Sequence, residues 1–242
     1  MKRAAALLLM LTATAIAAPS LEGESLARRM AQSYAAQVRG AATFVVQTHT
    51  TVRAGPMAHT EFSETAYAVA DGAPSGKIVL RSLVNNAAAN ADQLAKLSAE
   101  PDRPLSRFGL RLPLLESAAG DYHYGELRES GGRTDVDFTA KVKDQAHGDG
   151  TASFDVAQKH VTQLVIRPAV LPPHATRMTI TVEFGSVYEG RWDVVKITRT
   201  FSGREGFMTG SGSTTSVYDR YQIHASPADA LKALNAIVPA AT

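Results

Sequence analysis

The chain has 242 residues, 45% of them hydrophobic and 20% charged, with 25 Lys and Arg against 23 Asp and Glu and no cysteine. That composition rules out a disulfide framework and any cysteine-ligated metal centre. The near-balance of charge, with no stripe of Lys and Arg interleaved with aromatics, argues against nucleic acid and polybasic membrane partners and leaves at most transient membrane contact.

The first residues read as a secretory signal peptide over 1–17: Lys2 and Arg3, then an apolar run from Ala4 to Leu11, then small residues ending at Ala15-Ile16-Ala17. The run is shorter than the roughly 20 residues a spanning helix needs. Without a cysteine there is no acylation site, so export to the periplasm as a soluble, unanchored protein is expected. Loss of Lys2 and Arg3 takes the 25 basic residues to 23, equal to the 23 acidic ones. No linker or fixed-period repeat divides residues 18–242, which predicts one domain.

Residues 24–39 place Leu26, Met30, Tyr34 and Val38 four apart beside Ala27, Ala31 and Ala35, an amphipathic helix stopped by Gly40. The period then falls to two over 42–53, 58–70 and 76–84, predicting strands separated by turns at Gly55-Pro56 and Asp71-Gly72. A helix is expected over 90–100. The Leu-rich, proline-bounded stretch 104–120 follows, which must be buried or must cover something apolar.

Strands return over 121–130 and 133–144, turning at Gly131-Gly132, with Val136, Phe138, Ala140 and Val142 on one face. Gly148-Asp149-Gly150 is expected to turn into a strand at 151–157, and Gln158-Lys159-His160 into another. Across 178–201, Met178, Ile180, Val182 and Phe184 share a face, and the chain turns at Gly190-Arg191. Gly210-Ser211-Gly212-Ser213 reads as a flexible turn before a strand at 216–225. Ser226, Pro227 and Asp229 form the N-cap, first-turn proline and acid of a closing helix.

About ten strands linked by short turns imply an antiparallel meander. Such a sheet must hide its apolar face by curling or by receiving helices. The expected fold is therefore mainly β, an α+β chain: a strongly curved antiparallel sheet forming an incomplete barrel, with a few helices plugging its concave side.

Motifs for chemistry are absent from the pattern. The seven histidines are scattered, without H-E-x-x-H spacing, so no metal is expected. No G-x-S-x-G or phosphate loop occurs. His147-Gly148-Asp149-Gly150 lacks the spacing of a calcium loop. The carboxylates fall on polar strand faces or at turns, so no catalytic residue and no cofactor is assigned.

The chain nevertheless resembles a known superfamily. The order of helix, strands 121–144, the phrase F-D-x5-V-x-x-L at 154–164 and the wide hairpin containing Gly190-Arg191-Trp192 are similar to the periplasmic carriers and sorters of outer-membrane lipoproteins, LolA/LolB-like, over roughly residues 24–225. The resemblance implies a half-open barrel closed by helices, with an apolar cavity that shields acyl chains.

Together, residues and resemblance lead to the expectation of a non-catalytic carrier or binder of lipidated or hydrophobic ligands. Val136, Phe138, Met178, Ile180, Val182 and Phe184 are the expected lining, and Leu110, Leu112 and Leu115 the expected lid. The expected partners are a lipid or acylated protein. Two alternatives stay open: an envelope protein-interaction module built on the same fold, and an unrecognised hydrolase with paired carboxylates.

Overall fold

The computed structural model describes residues 20–37, 40–71, 73–100, 110–113, 118–155, 160–205 and 208–237. The expected signal peptide, Val38 and Leu115 lie outside them. Helix α1 (Leu21–Gln37) leads into β1 (Ala41–Ala54), β2 (Met57–Ala70), β3 (Ala73–Val84) and the short β4 (Ala87–Ala88), followed by α2 (Ala91–Ala99). A 3-10 turn at Ala119–Asp121 then opens a second run of strands: β5 (Tyr122–Ser130), β6 (Arg133–Ala140), β7 (Gly148–Asp155), β8 (His160–Pro168), β9 (Ala175–Tyr188), β10 (Arg191–Glu205) and β11 (Met208–His224). Helix α3 (Pro227–Asn235) closes the described chain.

All eleven strands belong to one sheet in the order β4-β3-β2-β1-β11-β10-β9-β8-β7-β6-β5, every neighbouring pair antiparallel. The sheet is not closed: β4 and β5 are its edges. The architecture is thus an incomplete barrel made of two meanders, joined where the first strand pairs with the last from Ala41↔His224 to Ala54↔Gly210.

Local chemistry explains the turns and caps. Gly131 and Gly132 both adopt positive φ (59° and 81°), the geometry a two-residue hairpin turn between right-twisted strands requires. Asn90 caps α2 by accepting from the backbone N–H of Gln93, whose side chain in turn accepts from the Asn90 N–H at 2.9 Å. Ser226 caps α3 with Pro227 in the first turn.

The two faces of the sheet are covered by different elements. On β1, Ala42, Phe44 and Val46 belong to the main core, whereas Ala41 and Val45 belong to a second cluster with Ala66, Ala68 and Leu80. Helix α1 enters the main core through Leu26, Ala27 and Met30, while α3 covers the second cluster through Ala230 and Leu234. Of these two helices, α1 plugs the concave side and α3 packs on the opposite face of β1–β3.

Three details differ from the sequence expectation. Strand β6 ends at Ala140, so Val142 leaves the apolar face and is exposed. Gly148 and Gly150 are not a turn but lie within β7, where a Cβ would stand 2.6 Å from the Arg167 carbonyl oxygen and 1.8 Å from that of Val165. Gly210–Ser213 is not a turn either; it is part of β11, paired to β1 and β10. In both places glycine marks close approach of backbone or ring, which composition alone reads as a loop.

Candidate ligand cavity

Strand alternation decides what the concave face presents along its length. On β1 the inward series runs Ala42, Phe44, Val46, Thr48, Thr50, Val52, Ala54. On β11 it runs, in the opposite direction, Gly210, Gly212, Thr214, Ser216, Tyr218, and continues at Tyr221 because a bulge with Arg220 at φ 53° shifts the phase. One end of the barrel thus carries aromatics and the other carries almost no side-chain volume.

The aromatic end is closed. Phe44 stacks on Tyr221 (centroids 5.0 Å apart) and on Tyr67, and Tyr218 leans against it. Helix α1 completes the seal: Tyr34 meets Phe184 edge to face at 5.7 Å, and its hydroxyl donates to Asp193 Oδ1 at 3.3 Å. Asp193 is buried with Arg191, its Oδ2 3.5 Å from the Arg191 Nη2, while Trp192 donates its ring N–H to the Val161 carbonyl and stacks on His160.

Four of the expected lining residues sit in this closed core. Val136, Phe138, Val182 and Phe184 are at most 7% exposed and pack with Leu26, Met30 and one another. Leu110 and Leu112 are also buried there. Their segment is tied down: the Arg111 N–H donates to the Ala146 carbonyl, and the hydroxyls of Tyr122 and Tyr124 donate to the carbonyls of Arg111 and Pro113. Burial raises both tyrosine hydroxyls above the ordinary phenol pKa, so they remain donors.

The other end is open. A cavity of about 440 Å³ lies between the end of β1 (Val52, Ala54), the start of β9 (Ala175, Met178), the end of β10 (Arg199, Phe201) and the start of β11 (Gly210, Ser211). A second cavity of about 320 Å³ adjoins it, lined by Leu110, Ala146, Pro168, Val170 and Ile180. Both share Pro172, Pro173, Met178 and Arg199. Of the expected lining, Met178 therefore borders both cavities, while Ile180 and Leu110, at 1% and 4% exposure, form only the buried wall of the second. Each volume falls in the range of about 300–1,000 Å³ typical of small-molecule sites.

Sequence reasoning passed over two contributors to the cavity. Gly212 is the first: it leaves room for the Phe201 ring, which would stand 2.5 Å from any Cβ there and itself lines the cavity. The signal was glycine and serine alternating within a strand. Arg199 is the second: it pairs in register with Ile180 and Thr214 and follows Ile197 by two, so its side chain points inward. The alternation Ile197, Arg199, Phe201 was its signal.

The carboxylates of the outer face are engaged singly with cations: Asp137 with Arg128, Asp149 with Lys143, Glu183 with Lys196 and Glu64 with Arg220. Among the described residues no cluster of three or more His, Asp or Glu could hold a metal ion, and no helix is long and apolar enough to cross a membrane.

No family model matches the sequence, and no curated protein matches it. Among solved structures, the chain is similar to a LolA superfamily protein from Nitrosomonas europaea, at 10% identity over 86% of this chain and 96% of that one, TM-score 0.39. It is also similar to an outer membrane lipoprotein-sorting protein domain from Vibrio parahaemolyticus (10%, 88% and 97%, TM-score 0.47) and to a DUF1329 family protein from Desulfovibrio piger (14%, 86% and 94%, TM-score 0.41). Each likeness is one of overall fold, and none assigns this chain to a family.

Proposed function

We propose that this chain is an exported, non-catalytic binder of lipidated or otherwise hydrophobic ligands, which it receives at the open end of the barrel. The observation that carries the reading is the pair of adjoining, largely apolar cavities meeting at Met178 and Arg199. The signal-peptide pattern of residues 1–17 supports a periplasmic setting.

The energetics need no catalytic group. Each methylene taken out of water contributes about 0.8 kcal/mol, so ten of them supply about 8 kcal/mol. Relative to a bilayer the same chain gains almost nothing, which keeps loading and unloading near balance and lets small partner contacts set the direction. The segment 110–113, held by three hydrogen bonds, acts in this reading as a fixed wall beside the cavity.

The alternative of a protein-interaction module ranks second because the sheet edges are poor docking strands. One edge, β4, is two residues long. The other, β5, is partly capped by the start of α1, where the Ser20 N–H donates to the Tyr124 carbonyl and Glu24 accepts from the Tyr124 N–H.

The test is a native mass spectrum of protein purified from an envelope extract, followed by titration of the delipidated protein with a fluorescent fatty acid. A retained adduct of lipid mass and saturable binding are expected. Absence of both sinks the proposal. Val182→Asp is a poor probe, since it buries a carboxylate in the closed core and would report unfolding; Met178, which lines the open cavities, is the better position.

A further inference from the structure

We infer that the open end of the barrel rests on the surface of an anionic lipid bilayer, with Met57, Val142 and Val170 entering the headgroup layer and Arg53 and Arg177 meeting its phosphates. The inference rests on the ligand-binding reading above and adds the surface from which such a ligand is taken up.

Three large apolar side chains stand in water on three separate connections at this one end. Met57, 59% exposed, lies at the β1–β2 turn opposite Ala54, which lines the larger cavity. Val142, 53% exposed, belongs to the β6–β7 connection, whose Gln145 and Ala146 line the second cavity. Val170, in the β8–β9 connection, is exposed and lines that cavity itself. One exposed aliphatic residue is ordinary on a protein surface. Three of them bordering one pair of cavities make an apolar rim, and such rims mark interaction sites. Because all three sit on turns, they can enter an interface without unpairing any strand backbone.

The charge at this end complements an anionic surface. Arg53, beside the β1–β2 turn, and Arg177, at the start of β9, are both exposed. Register sets them in one row: Arg53 opposite Ser211, Ser211 opposite Ser202, and Ser202 opposite Arg177. Asp121, Asp144 and Asp149 at the same end are each engaged with a base, Arg111, His147 and Lys143 in turn. A protein partner would have to match the shape of several separate turns. A fluid interface does not, and a few shallow side chains with two cations give the weak, reversible attachment that loading and unloading require.

The experiment floats protein purified from an envelope extract with vesicles of phosphatidylcholine, alone or mixed with phosphatidylglycerol. The wild type should partition about tenfold more strongly onto the anionic vesicles, and added salt should remove that excess. Met57→Glu and Val142→Glu should each weaken partition about tenfold. Neither residue lines the two cavities, so titration with a fluorescent fatty acid should give the wild-type affinity in both variants. Arg53→Ser combined with Arg177→Ser should erase the preference for anionic vesicles and leave binding to neutral ones unchanged. Val217, 39% exposed in the middle of β11 and away from this end, is the control, and Val217→Glu should change nothing.

Absence of flotation by a protein that still binds the fatty acid overturns the inference and leaves the ligand-binding reading intact. So does flotation that Val217→Glu weakens as much as Met57→Glu and Val142→Glu do. Self-association without vesicles, abolished by the same two rim substitutions, would give the rim to a second copy of the chain and likewise overturns it. Binding of neither vesicles nor fatty acid overturns both.

Discussion

The two ends of this barrel are built on the same strands and obey the same alternation, yet one is a packed core and the other a cavity. At the closed end the inward positions of β1 and β11 are Phe44, Tyr218 and Tyr221, and α1 adds Leu26, Met30 and Tyr34. At the open end the same strands offer Val52, Ala54, Gly210 and Gly212. Between them lie two hydroxyl pairs, Thr48 with Ser216 at 2.9 Å and Thr50 with Thr214 at 3.2 Å, which satisfy each other across the β1–β11 ladder. An apolar strand face is therefore not by itself a binding face. What decides is whether the chain supplies enough side-chain volume to fill the space in front of it.

Substitutions at the two ends should separate accordingly. The largest effect is expected at the closed end: Phe138→Ala removes a ring that is 1% exposed and packed edge to face on Tyr122, and should cost about 3–5 kcal/mol in denaturant unfolding. A loss below 1 kcal/mol would mean that the core there is loose. Next comes Met178→Trp at the open end. The indole would displace two or three methylenes of a bound chain at about 0.8 kcal/mol each, weakening binding about tenfold or more. Fluorescent fatty-acid titration checks it, and unchanged affinity would place the ligand elsewhere.

A smaller effect is expected where the fixed segment is tied to the core. Tyr124→Phe deletes the hydroxyl that donates to the Pro113 carbonyl and should destabilise by about 1–2 kcal/mol, with hydrogen exchange at Arg111 rising more than in β9. The smallest concerns the exposed outer face. The Arg128 guanidinium, aided by the Thr151 hydroxyl, holds the Asp137 carboxyl below its ordinary value of 3.8.

A depressed carboxyl stabilises the fold above its unfolded pKa, and this contribution is lost as the pH falls through the folded one. Asp137→Asn should therefore lower stability by less than about 1 kcal/mol at neutral pH, given the exposure of the pair. The difference from wild type should shrink on acidification below 3.8. A difference independent of pH would assign the loss to packing.

Much of the fold was legible because the signals are local. The change of period from four to two after Gly40, the Asn90 and Ser226 caps and the Gly131-Gly132 turn each arise from interactions within a few residues, and the helices and hairpins fall where they point. The strand run at Gly210–Ser213 was missed because Gly212 serves a neighbour, the Phe201 ring, and that neighbour is eleven positions away. The open cavities were less legible. Met178 and Ile180 belong to them, but Val182 and Phe184, two and four residues further along the same face, lie under α1. Nothing in the periodicity of β9 distinguishes these positions.

The sequence by itself determined most of the strands, which face of each is apolar and the turns at Gly55, Asp71 and Gly131-Gly132, since period, caps and turn chemistry act over a few residues. Only the tertiary structure decided that β1 pairs with β11, that α1 fills one end while α3 covers the opposite face, and that Arg199 faces the space left over. Those outcomes depend on contacts between residues more than 150 positions apart, such as Tyr34 with Asp193 and Thr43 with His224. A choice among such pairings rests on the filling of shared volume, which no single segment encodes.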